Sequence, residues 1–236
     1  MGILADTLAW LTDPAHWSGP NGIPVRLLEH AAISAGSLLI ALAIALPVGL
    51  WIGHTGRWAS VAVNSANLWR ALPSLAVIAI VLPITAAIDP QAGFKIYPTV
   101  VAMVVLGVPP ILVNTYAGIR GVDRELIEAG RGVGMSGAQV LGRVELPLAV
   151  GVLITGIRSS AVQIVATATL GAIFGFGGLG RYLVDGVAQR DTGQIFGGAI
   201  LVGGLVMATE LLFVGMGRVL TPHATRVERS ARPRPA

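Results

Sequence analysis

Glu128-Ala129-Gly130-Arg131-Gly132-Val133-Gly134, followed ten residues after Gly134 by Val144-Glu145-Leu146-Pro147, is a charged, glycine-punctuated island in an otherwise apolar chain. Just upstream, Gly121 to Ala129 reads as a helix start. Asp123 is the N-cap and Glu125 stands in the first turn, where its charge suits the positive end of the helix dipole. Gly132 and Gly134 stop that helix, and Gly134 permits a backbone turn that a side chain would block. Ser136 followed three residues later by Gln139 is a capping-box pattern, predicting a second short helix that runs to about Val144. Pro147 suits the entry to the next helix. A helix, a glycine turn and a helix, tethered at both ends to apolar segments, can dock in a partner's groove and move as a lever. Glu128 would offer its carboxylate to that partner.

Outward from the island, the 236 residues are 54% hydrophobic and only 12% charged. Soluble domains carry about a quarter charged residues, so the balance points to a membrane protein. The absence of cysteine removes disulfides, thiolate nucleophiles and Cys-based metal sites, and His16, His30, His54 and His223 are too scattered to suggest a ligand set. The net charge of +4 comes from basic residues at the ends of apolar segments, where they orient a membrane protein; nucleic acid is not an expected partner. The first thirty residues have no basic start and no long apolar run, so a cleaved secretory signal is not expected and the first span serves for targeting.

A helix needs about 20 mostly apolar residues to cross hydrocarbon while satisfying its own backbone. Five segments qualify: Ala31 to Ile52, Trp58 to Ile88, Tyr97 to Ile119, Leu148 to Phe174 and Ile195 to Leu220. The predicted class is an all-α membrane protein with five spans. The second segment exceeds one span and holds Pro73 and Pro83, so a bend or break is predicted near Ala71-Leu72-Pro73-Ser74. Pro109-Pro110 makes a similar weak point in the third. An outer amino terminus places Arg57, Arg120, Arg124, Arg131, Arg143, Arg218, Arg226, Arg229, Arg232 and Arg234 inside, against Arg26, Lys95, Arg181 and Arg190 outside. The positive-inside rule favours that orientation, with a cytoplasmic carboxyl terminus. Trp51 and Trp58 would then mark the inner interface and Phe94, Tyr97, Phe174, Phe176 and Tyr182 the outer one. The division is an outer segment over 1–30, a membrane domain over 31–220 with its coupling region at 121–147, and a disordered Pro- and Arg-rich tail over 221–236. That tail would touch anionic lipid headgroups.

The spacing of Glu128, Ala129, Gly134, Val144, Leu146 and Pro147 resembles the coupling motif of ABC-importer permeases: E-A-A, three residues, G, nine residues, I, one residue, L-P. Gly130 replaces the second alanine and Val144 the isoleucine. Leu72-Pro73-Ser74-Leu75-Ala76, Gly156-Ile157-Arg158 and Gly177-Gly178-Leu179-Gly180 are similar to the osmoprotectant branch, importers of glycine betaine, carnitine, choline and proline betaine. The resemblance covers roughly residues 25 to 220. It implies a type I importer core of five spans like that of the methionine importer, with Glu125, Glu128, Ala129, Gly130, Gly134, Leu146 and Pro147 at the ATPase contact. It also implies a second permease copy or sister chain, two ATP-binding subunits, a separate extracytoplasmic binding protein and a bacterial inner-membrane location. No G-x-x-x-x-G-K-[ST] loop is present, so ATP and Mg would be held by the partner ATPases, with no cofactor on this chain and no catalytic site.

Gly175 to Gly180 satisfies G-x-G-x-x-G but lacks a βαβ setting, and it reads as a close-packed turn at the outer side. Gly134 to Ala138 misses the hydrolase elbow G-x-S-x-G by its last residue. Ionisable groups in spans are costly, so Arg70, Arg158 and Glu210 need explanation. Arg158 and Glu210 either snorkel to the inner surface, the preferred reading, or pair inside the bundle. Asn64, Asn67 and Arg70 share one helical face beside Pro73 and Ser74, and together they are the expected lining of the inner pathway. A polar face packed against a partner subunit is the competing reading. Few aromatics lie in the spans, which fits a pathway that passes a quaternary ammonium solute on while a binding protein selects it. The alternative substrates are methionine, taurine or nitrate, and the alternative class is a secondary transporter, which would show two related halves.

Overall fold

Chain order begins with a helix that the sequence pattern does not announce. The computed structural model describes residues 2–221, and Arg70 through its backbone alone; among the described residues there is no strand. Helix α1 (Ile3–Thr12) ends at Asp13, whose carboxylate accepts the Ala15 N–H at 2.9 Å to open a 3₁₀ turn over Pro14–Trp17. Trp10 stacks on His16 at 4.4 Å and meets Tyr182 edge-on at 5.1 Å. Tyr182 is buried and donates to Asn21 O at 2.7 Å, so it is a packing residue rather than an interface aromatic.

Helix α2 (Ile23–Thr55) begins well before Ala31, so residues 23–30 belong to a long helix and not to the outer segment. At 1.5 Å per residue it measures about 50 Å against a hydrocarbon core of about 30 Å. Its polar first turns are held by an Arg26–Glu29 ion pair at 2.8 Å. Gly56 at φ +72° ends it, donating to Ile52 O at 2.8 Å.

The second apolar segment breaks where Pro73 predicts. Helices α3 (Ala59–Arg70) and α4 (Ser74–Ile88) meet at 94°, because Pro73 has no N–H to continue the ladder and biases Leu72 away from helix. A short α5 (Ala92–Lys95) leads into α6 (Tyr97–Arg120). Contrary to expectation, α6 runs unbroken through Pro109-Pro110. Two side-chain bonds brace the stretch around the prolines: Ser160 Oγ of the neighbouring helix donates to Gly107 O at 2.8 Å, and Asn114 Nδ2, on α6 itself, donates to Pro110 O at 2.8 Å.

Helix α7 (Arg124–Gly132) is followed by α8 (Gly137–Val140), a π turn over Leu141–Glu145 and α9 (Leu146–Ala168). The second short helix is therefore not separate: its last turn passes through the π segment into the span. A 3₁₀ stretch (Thr169–Phe174), α10 (Gly180–Gln189) and α11 (Thr192–Leu220) complete the order. Among the described residues, four helical segments are long and apolar enough to cross a membrane, and the bent α3–α4 pair makes a fifth if it counts as one span.

The centre is built by α2, α6 and α9, with Ala41 and Ala45 facing Met103, Ile111, Ile164 and Ala168. Hydrocarbon gives helices no hydrophobic reason to associate, so close approach of small residues supplies the packing. A Cβ at Gly107 would lie 2.7 Å from Ile164 Cδ1, and one at Gly156 would lie 2.7 Å from Pro110 O. Helix α11 packs along α1, α9 and α10, with Gly193, Gly197 and Gly198 as its buried residues.

Candidate functional site

The island folds around its caps as read. Asp123 accepts the Glu125 N–H at 3.0 Å, and Ser136 and Gln139 exchange both capping-box bonds at 2.8 and 3.4 Å. Between them α7 closes in a Schellman turn. Met135 N–H donates to Gly130 O at 3.1 Å and Gly134 N–H to Arg131 O at 2.9 Å, with Gly134 at φ +85°.

Ile127 and buried Gly130 seat α7 on the ends of α6 and α9, among Ile119, Val122, Ala149, Leu153 and Val144. Glu125, Glu128, Ala129 and Gly134 stay exposed, while Leu126 and Val133 show 48% and 78% of their surface. A short helix with both carboxylates and apolar side chains turned outward has the composition of a docking surface. Leu146 is half-buried in the seat and Pro147 is exposed at the first turn of α9. Five of the seven expected contact residues thus share the exposed side; Gly130 and Leu146 instead hold α7 in place.

Behind α7 lies a pair that no sequence spacing signals, its members ninety-one residues apart. His54 Nδ1 meets Glu145 Oε2 at 2.6 Å, and the Glu145 side chain is 4% exposed. His54 ends α2, and Glu145 closes the π turn that carries the island into α9. Their contact ties both to a cleft of about 220 Å³ whose walls include Arg120, Arg124, Glu128 and Arg131.

Near its other end α2 is tied to α9 and to the turn beyond it. Glu29 Oε2 accepts the Gly178 N–H at 2.8 Å, and His30, fully buried, lies 2.9 Å from Val165 O through Nε2. The Gly175–Gly180 stretch is therefore a turn packed on α2, with Gly175 and Gly178 both at positive φ, as a close-packed turn requires.

Of the expected pathway residues, Asn64 and Ser74 line two different clefts. Asn64 and Asn67 are exposed on α3, and Asn64 opens with Ser60 and Tyr116 on one shallow cleft. Ser74 lines a separate cleft with α6 and α9, and Pro73 is exposed at the break. The Arg70 side chain and the tail beyond Thr221 lie outside the described residues. Arg158 and Glu210 meet at 3.5 Å, each about one-third exposed, so they pair rather than snorkel separately.

Comparison with known proteins agrees with this architecture. Residues 45–226 match the family described as binding-protein-dependent transport system inner membrane component. The chain is 35% identical over 209 residues to the carnitine transport permease protein OpuCB of Listeria monocytogenes, covering 89% of this chain and 93% of that one. It is 36% identical over 197 residues to the choline transport system permease protein OpuBB of Bacillus subtilis, covering 84% and 88%. Among solved structures it resembles a chain of the inward-facing MetNI methionine ABC transporter, at TM-score 0.76 and 22% identity, covering 89% of this chain and all of that one. With the bent α3–α4 pair as one of five spans and a capped helix protruding beside them, the chain belongs to the membrane permeases of binding-protein-dependent ABC importers.

Proposed function

We propose that this chain forms the membrane pathway of an ATP-driven importer of osmoprotectants, quaternary ammonium solutes such as glycine betaine, choline or carnitine. The observation that carries the reading is the exposed, doubly capped island on a permease fold, in a chain whose relatives are named for carnitine and choline. Each chain pairs with a second copy or a sister permease. The island docks on a separate ATPase subunit, which binds ATP and Mg, and this chain hydrolyses nothing itself. An extracytoplasmic binding protein delivers the solute.

The amino terminus lies outside and the carboxyl terminus in the cytoplasm, so Arg120, Arg124 and Arg131 face inward with the island, in keeping with the positive-inside rule. ATP binding closes the two ATPases, their motion reaches the spans through Asp123 to Val144, and the pathway alternates between outward- and inward-facing states. Glu125, Glu128, Ala129 and Gly134 form the contact; Gly130 and Leu146 position it. The test is uptake of labelled glycine betaine, choline and carnitine into proteoliposomes holding the chain with the ATPase and binding protein encoded beside it. ATP-dependent uptake of at least one supports the reading, and transport only of methionine, taurine or nitrate would replace it.

A further inference from the structure

At the 94° break, the cleft of about 350 Å³ between α4, α6 and α9 contains three neutral polar side chains: Ser74, Gln163 and Thr167. None of the three hydrogen-bonds through its side chain to another described residue, although Gln163 and Ser74 are half-buried and Thr167 is buried. The hydroxyls of Ser34, Ser37 and Thr115 are sealed in the core without a partner, whereas those of Thr155 and Thr209 turn back to a carbonyl four residues earlier. Thr167 does not, and Gln163 is an amide well inside the α9 span.

Leaving an amide unpaired in hydrocarbon is expensive, so an unpaired amide that opens on a cleft has a place for water or a solute to meet it. Leu72, Leu106, Ala166 and Leu170 complete the wall, and among the described side chains none that lines the cleft is charged.

We propose that Gln163, with Ser74 and Thr167, is a solute-contact site of the translocation pathway, placed at the broken second span. This rests on the osmoprotectant reading above. The leucines accept the methyl groups of a quaternary ammonium head, while the hydroxyls and the Gln163 amide donate to its carboxylate or hydroxyl end. Neutral contacts hold such a solute weakly, as passage requires, because a site that binds tightly delays release. Neutrality also means that the site does not separate zwitterionic glycine betaine from cationic choline. Gln163 is therefore the position at which a charge would create that discrimination.

The chain has no cysteine, so Gln163→Cys supplies the single thiol of this subunit in the assembled transporter. A cationic methanethiosulfonate is expected to label Gln163→Cys, and saturating glycine betaine to slow the labelling. Leu39→Cys, 66% exposed on α2, serves as the lipid-facing comparison. Labelling of Gln163→Cys no faster than Leu39→Cys overturns the site.

In proteoliposomes, Gln163→Glu is expected to raise the choline to glycine betaine uptake ratio about tenfold, through one new charge contact. An unchanged ratio with normal uptake also overturns it. If the unaltered transporter carries neither solute, the osmoprotectant reading has failed while the labelling still decides whether Gln163 lines a wetted path. Gln163→Asn, which keeps the amide, is expected to assemble and leave the ratio unchanged; a shifted ratio would contradict the role of neutrality.

Discussion

Gly130 and Gly134 stand four residues apart and do different work. A Cβ at Gly130 would lie 3.4 Å from Met135 Sδ and 3.6 Å from Val144 Cγ2, ordinary contact distances. Gly130→Ala therefore gains helix propensity of about 1 kcal/mol without a clash, and its α7 amides are expected to exchange more slowly with deuterium while transport persists. At Gly134 nothing lies within 4 Å of the added Cβ, but φ is +85°. A branched side chain there costs about 1–2 kcal/mol in backbone strain. Gly134→Asn should keep the turn, because asparagine tolerates this conformation. Gly134→Trp should insert normally yet lose ATPase binding in a pull-down, since its ring would project from the exposed side of the island; normal transport by that variant would contradict the docking role. Asp123, Ser136 and Gln139 were legible because a cap is a local interaction, fixed by residues two or three apart. Glu145 and His54 were not, because their meeting depends on how α2 and α9 pack.

Among the elements, the two proline sites show the same limit. Pro73 breaks its helix and Pro109-Pro110 does not, yet the chain around each is apolar. The difference is α9, whose Ser160 and Gly156 lie against the Gly107–Asn114 stretch and stabilise it. Gly156→Val would drive side-chain atoms into Pro110 O, and is expected to lower the yield of folded protein in detergent; normal yield and melting temperature would refute the packing argument. Helix α2 holds α9 through His30 and the segments flanking α9 through Glu29 and His54, which bond Gly178 beyond it and Glu145 just before it. Removing His54 leaves the buried Glu145 carboxyl without its hydrogen-bond partner, at a cost of about 1–3 kcal/mol. His54→Ala should therefore lower uptake more than ATP hydrolysis, a split that marks lost coupling, whereas Glu145→Gln retains a hydrogen bond and should lose less. Equal losses in uptake and hydrolysis for both variants would reduce the pair to a structural support.

For the whole molecule, the five apolar segments and the class of fold were legible because hydrocarbon demands long apolar helices regardless of tertiary context. Helix α1 and the early start of α2 were not, since Asp6, Asp13, Arg26 and Glu29 make that region read as polar. The extensive packing of α6 on α2 and α9, with the His30 contact to Val165, predicts how the molecule moves: α2, α6 and α9 stay together, and α4 shifts against them. Spin labels on α2 and α9 should keep their separation between nucleotide-free and ATP-trapped states, while a pair on α4 and α9 should not; a change confined to the first pair would reverse the assignment.

Coupling through the island is tested most directly by a single cysteine at Val133, 78% exposed beside Gly134 in a chain with no other thiol. A short bifunctional reagent is expected to join Val133→Cys to the ATPase subunit in membranes, with a yield that changes on ATP binding. Capture of no ATPase by that residue, in membranes where the same transporter carries solute, would contradict the coupling role of the island.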